Sequence, residues 1–140
     1  AGLATITPAA GVAGPLGAVL LGVAASCVCY TGVWAVKRVM RVDDALDVLG
    51  VHGVGGAMGT MLLPFVSLIG AGGGHLNHGV GQQFQAQAIA VLVVALFSAV
   101  ATFGITKLAD MLVGLRVDHE HETQGLDFAT HGETGYHTNR

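Results

Sequence analysis

Charge is scarce in this 140-residue sequence, and it is badly spread. Asp, Glu, Lys and Arg make up 11% of it, against roughly 25% in an average soluble domain. Residues 1–36 carry no charge, six charges fall between Lys37 and Asp47, and the rest lie at or beyond Lys107. From Val48 to Thr106, 59 consecutive residues are uncharged. No water-facing surface can be built from such a run, which excludes a soluble globular domain. With only six basic residues and a net charge of −3, nothing marks a nucleic-acid partner. Cysteine is nearly absent too. Cys27 and Cys29, one residue apart in an apolar run, form neither a CxxC motif nor a zinc knuckle, and helix positions two apart do not face each other. What remains is apolar: 52% hydrophobic residues, 22 glycines and a mean hydropathy of +0.65. The expectation is an all-α integral membrane protein. Because Ala1 opens inside an apolar stretch, the sequence is expected to be a piece of a longer chain.

A membrane-crossing helix needs about 20 apolar residues. The first candidate runs from about Pro15 to Val36, with Pro15 suited to a first helical turn. The long uncharged stretch exceeds one helix and breaks at the glycine-rich segment Gly70–Gly81, leaving spans at roughly 44–69 and 83–106. Residues 1–14 resemble the end of an earlier helix and its connection. Lys37, Arg38 and Arg41 lie between spans one and two, and Lys107 and Arg116 follow span three. The glycine-rich segment has no Lys or Arg. The positive-inside rule therefore puts loop 37–43 and the C-terminus in the cytoplasm. The expected division is a transmembrane part, 1–113, and a tail, 114–140.

Asp43 and Asp44 open the second span and Asp47 falls in its first turn, where carboxylates accept from unpaired N–H groups and offset the positive helix end. The spacing is not that of a calcium-binding loop. Small residues recur at Gly14, Ala18, Gly22 and Ser26 in span one, and at Gly50, Gly53, Gly55, Gly56 and Gly59 in span two. Gly55, Gly56 and Gly59 are expected to serve close helix packing.

His52 opens the functional argument. It lies about two turns into a span with no charged side chain before Lys107. A charge near the bilayer centre costs about 2.5–3.5 kcal/mol on insertion scales, so the imidazole is expected to be neutral and to face protein or a water-filled path. Val48 lies one turn before it, and Gly55 and Gly56 one turn after. Spacing alone leaves three readings: a structural histidine bonded to a neighbouring helix, part of a transport path, or a haem or metal ligand. The pair His75 and His78 falls in the glycine-rich segment and is read as solvated loop; no metal site is expected.

The run from Asp43 to Gly59, DDALDVLGVHGVGGAMG, resembles the tenth-helix signature of the Amt/Mep/Rh ammonium transporters. Ile6-Thr7-Pro8-Ala9 resembles the end of that family's eighth helix, and Lys107 to Val117, with Asp110, Gly114 and Arg116, resembles the exit from its eleventh. Gly125-Leu-Asp127, His131-Gly132-Glu133 and Tyr136 resemble the cytoplasmic tail of its Amt branch. The resemblance covers essentially the whole chain and about the last third of a family member.

The resemblance implies an eleven-span fold assembled as a homotrimer in the cell membrane, with one pore per subunit. It implies ammonium as substrate, no enzymatic activity and no cofactor. His52 matches the second of two histidines that share a hydrogen bond in the pore, and Val48 the pore wall on its cytoplasmic side. Asp43, Asp44 and Asp47 match the cytoplasmic-face cap. Gly125, Asp127, His131, Gly132, Glu133 and Tyr136 match the tail that docks on a neighbouring subunit, where a PII signalling protein also binds in many bacteria. The sequence departs from the pattern at Leu49, where an aromatic is common, at Asp118, where many relatives have Pro, and at Ala129, where plant members carry a regulatory threonine. Two other functions fit parts of the sequence: a non-transporting ammonium sensor of the same fold, and a haem- or quinone-linked membrane subunit with His52 as ligand.

Overall fold

The structure, a computed structural model, describes residues 1–69 and 79–135. Most of the glycine-rich break, with His75 and His78, and the tail residue Tyr136 lie outside the described residues. The described residues are helical, with no strand among them. Helix α1 (Gly2–Ile6) runs into a 3₁₀ turn (Thr7–Ala9). Helix α2 (Pro15–Trp34) has Pro15 at its first position, where the missing N–H removes nothing from the helix. It continues through a π-helical turn, Ala35–Val39. A second π-helical turn, Leu49–Gly53, leads into α3 (Val54–Val66). Then come α4 (Val80–Val113) and two short helices, α5 (His119–Gln124) and α6 (Leu126–His131).

Among the described residues, three helical stretches are long and apolar enough to cross a membrane: Pro15–Val39, Leu49–Val66 and Val80–Val113. They match the three expected spans, with different ends. The second starts at Leu49 rather than near Asp44. Asp47 has left-handed backbone, φ 57°, so no helix can run through it from Asp44. The third runs on from 106 to Val113 as one helix, in the stretch expected to be its cytoplasmic extension.

The chain divides into two compact units, 1–96 and 97–140. In the first, α2 and α3 pack antiparallel. A Cβ added at Gly17 would stand 2.9 Å from Val66, one at Gly32 3.2 Å from Val54, and one at Gly50 2.5 Å from Val33. Helix α1 lies against both. Ala9, Leu21 and Val66 form the buried centre, with Ile6, Val12, Ala13, Met58 and Leu62 around it. The packed stripe of α2 is therefore Gly17, Leu21, Ala25 and Cys29, not the expected Gly14, Ala18, Gly22 and Ser26. Gly14 is buried, but Ser26 is exposed and nothing approaches Gly22. Gly17, Leu21 and Ala25 each lie one residue before an expected position, a rotation of about 100°. Spacing of four names a stripe without saying which of the adjacent stripes meets a neighbour.

Helix α4 has no buried residue. Leu92, Val93, Val94, Leu96, Phe97, Val100 and Phe103 are all exposed, so apolar side chains point in every direction around it. A helix of that kind is covered by lipid or by further protein. In the second unit, Gly114 (φ 72°) ends α4, and Arg116 and Glu122 approach to 3.6 Å. Both side chains are largely exposed, and such a pair contributes little.

Candidate functional site

The connection between α2 and α3 brings the candidate residues together. Its polar groups are used locally. The carboxylate of Asp44 accepts from the backbone N–H of Val48 through Oδ1 and of Leu49 through Oδ2, both at 2.8 Å. One side chain thus satisfies two of the donors that a helix start leaves open. The residue accepting from the first turn is Asp44, and neither the Asp43 nor the Asp47 carboxylate makes such a bond among the described residues. Asp47 instead pairs with Lys37, Nζ to Oδ1 at 2.6 Å. Its carbonyl accepts from the Val51 N–H at 2.8 Å.

These contacts hold the π-helical turn that carries His52. A π-helical turn contains about one residue more than an α-helical turn and frequently marks a functional site. Its wider repeat aligns Gly50 with Gly55, five residues on. Both are buried, as is Gly59. A Cβ at Gly55 would stand 2.8 Å from Thr5 Oγ1 and 2.9 Å from Cys29 Sγ, and one at Gly59 would fall on the Thr5 carbonyl oxygen. Cys29 Sγ also lies 3.8 Å from the Val51 carbonyl oxygen. Gly55 and Gly59 are thus close-packing glycines. Gly56 is not: a Cβ there meets no atom within 4 Å. Gly56 lies on the other face, and the packing expected of it is made by none of the described residues.

That other face holds His52. His52 and Gly53 are exposed, and Val48 is 51% exposed. Val48, His52 and Gly56 succeed one another at intervals of four on the side away from α1 and α2. Of the three expected neighbours of His52, Gly55 faces Thr5 and Cys29 instead. No group of three or more His, Cys, Asp or Glu residues suited to a metal occurs among the described residues. Cys27 is exposed and Cys29 buried, both as free thiols.

The tail residues form a second group. Gly125 (φ 92°) links α5 to α6, Asp127 sits in the first turn of α6 and His131 in its last. Gly132 (φ 66°) ends α6, with its own N–H and that of Glu133 returning to the carbonyls of Phe128 and Asp127. Every one of these side chains is exposed, apart from those of the glycines, which have none.

Thr5 was not singled out by the sequence, and Lys37 and Cys29 were read there for orientation and for metal motifs rather than for these contacts. The signal for Lys37 was available: three basic residues followed within six positions by three acidic ones across a helix hairpin. Thr5 and Cys29 gave none, since a small polar side chain in an apolar helix does not reveal which glycine it meets.

A sequence profile of the Ammonium Transporter Family matches residues 1–136. The chain belongs to this family. It is similar to an ammonium transporter of Bacillus subtilis, 37% identical over 139 residues, covering 97% of this chain and 34% of that protein. A putative ammonium transporter of Methanothermobacter thermautotrophicus is 40% identical over 141 residues, covering 97% and 34%. The ammonium transporter Amt1 of Archaeoglobus fulgidus is 36% identical over 138 residues, covering 97% and 35%. The chain thus spans about a third of the length of these curated relatives. Its three apolar helices are part of an ammonium transporter fold, and the relatives' names point away from an enzyme.

Proposed function

We propose that the chain is the last third of a cell-membrane ammonium transporter and that His52 lines its pore. The observation that carries this reading is the placement of His52 on the open face of its helix, with Val48 and Gly56, while Gly50, Gly55 and Gly59 take the packed face. In a longer chain the open face is available to another helix bearing a partner histidine.

The chemistry comes from the imidazole. A neutral ring has one donor and one acceptor, so two rings can share a hydrogen bond and still receive a substrate. Ammonium entering an apolar pore intact would lose its hydration at a prohibitive cost. Passing its proton to a neighbouring acceptor removes that cost, and ammonia and the proton then cross separately before recombining. Val48 keeps the cytoplasmic side of His52 apolar. The loop with Lys37, Arg38 and Arg41 and the tail face the cytoplasm. The functional unit is a homotrimer with one pore per subunit. The tail residues Gly125, Asp127, His131, Gly132, Glu133 and Tyr136 dock on the neighbouring subunit, beside the surface a PII protein uses.

The test is the ammonium-induced current of the full-length protein in proteoliposomes, with and without His52→Ala. Wild type should conduct, and the substitution should abolish the current or admit potassium. Ammonium binding without current would favour a sensor. Current unchanged by His52→Ala would remove the histidine from the pore.

A further inference from the structure

His52 is exposed, so the backbone turn on which it stands is what aims it. That turn is tied down on one side by α2. Gly50 sits against the backbone of Val33, and the Val51 carbonyl oxygen faces Cys29 Sγ. On the side toward the connection it is tied by Asp47. The Asp47 carbonyl takes the N–H of Val51, the residue next to His52. Its carboxylate reaches the ammonium of Lys37 in the π-helical turn at the end of α2. Asp47 Oδ1 is shut off from solvent and takes no hydrogen bond from another group. The left-handed backbone at Asp47, φ 57°, is a conformation Asp and Asn tolerate better than other side chains. One residue thus joins the end of α2 to the turn that bears His52.

We propose that the Lys37–Asp47 ion pair is a clasp that fixes the register of the π-helical turn, making Lys37 and Asp47 positioning residues for His52. The inference rests on the transport reading for its functional consequence. A π-helical turn that relaxes to α-helix sheds about one residue, and one residue is a rotation of roughly 100° for every later position in the helix. His52, and Gly56 with it, would then turn away from the direction they now hold relative to α2. The clasp opposes that slip by holding the start of the turn to α2, while Gly50, Gly55 and Gly59 hold the rest.

The ion pair is separable from the backbone. Asp47→Asn keeps a side chain that accepts left-handed φ and removes only the charge. Lys37→Met removes the partner and leaves the Asp47 carboxylate, whose side chain is 37% exposed, free to swing to solvent and release the turn. In full-length protein in proteoliposomes, Lys37→Met should lower the ammonium current roughly tenfold or more, the effect of misplacing a functional group by about an ångström. Lys37→Arg, which keeps the charge, should recover current toward wild type. The double variant Lys37→Met/Asp47→Asn should be no worse than Lys37→Met alone, since coupled residues lose their interaction once. Losses that multiply would overturn the clasp.

A second readout monitors the histidine directly. The imidazole ¹⁵N signals of His52, assigned by their disappearance in His52→Gln, should move in Lys37→Met. Current lost with those signals unmoved would mean a purely structural role and overturn the proposal, as would current and signals both unchanged. A wild type without ammonium current whose His52 signals still move in Lys37→Met would sink the transport reading and leave the clasp standing.

Discussion

A methyl group added at Gly59 would fall on the carbonyl oxygen of Thr5, while one added at Gly56 meets no atom within 4 Å. The two glycines are three residues apart, and the sequence separates them only by the four-residue spacing that pairs Gly59 with Gly55. Backbone cannot yield as a flexible side chain can, so Gly59→Ala must push α1 away from α3. We expect a cost of about 1–3 kcal/mol, as for other overpacked sites. Gly56→Ala adds no clash with α1 or α2 and should cost less than Gly59→Ala. Thermal unfolding of the full-length protein in detergent separates the two, and equal shifts would contradict the packing described. His52 shows the same division from the functional side. Its isolation among apolar residues was legible in the sequence and pointed to a path or a partner. Its exposure on the face away from α1 and α2 was not, because a π-helical turn shifts every later residue and leaves no mark in composition.

The three apolar helices were legible because the cost of charge in a membrane acts over whole segments and writes itself into composition. Their ends were not, because ends depend on single hydrogen bonds and on one ion pair across a loop. The second span shows this well. Three aspartates stand near its start and any of them suits an N-terminal cap, yet the two first-turn donors converge on Asp44, while Asp47 is drawn to Lys37. The choice is made by a residue ten positions away. Asp44→Ala should therefore destabilise the start of this helix by about 1 kcal/mol, and Asp44→Asn by less, since an amide oxygen still accepts. Amide hydrogen exchange at Val48 and Leu49 should quicken in Asp44→Ala. The same substitution at Asp43 should leave these amides as they are. Faster exchange in Asp43→Ala would mean that the cap is shared between the two carboxylates. On α2 the structure reversed the expected stripe for a related reason. Four-residue spacing occurs on several faces of a glycine-rich helix, and only the neighbour decides which is used.

At the scale of the whole molecule, the chain presents apolar side chains all around α4 and an exposed polar tail after Val113. The shape of its described part, 114–135, depends on glycines with positive φ, Gly125 among them. Gly125 holds φ 92° and ψ 130° between α5 and α6, a conformation that L side chains rarely adopt. A Cβ there meets no atom within 4 Å, so Gly125→Ala adds no clash inside the tail and acts through the backbone alone, with strain of about 1–3 kcal/mol. The cheapest relief is to change the angle between α5 and α6, which would re-aim Asp127 and His131. If the tail docks on a neighbouring subunit as proposed, a re-aimed α6 no longer fits its receptor surface, although the transmembrane helices are untouched. Gly125→Ala should then lower the ammonium current of the full-length trimer while leaving its assembly and thermal stability unchanged. Truncation after Gln124 should reproduce the defect, because it removes the same docking element. Wild-type current in both variants would separate the tail from transport and confine the function to the helices around His52.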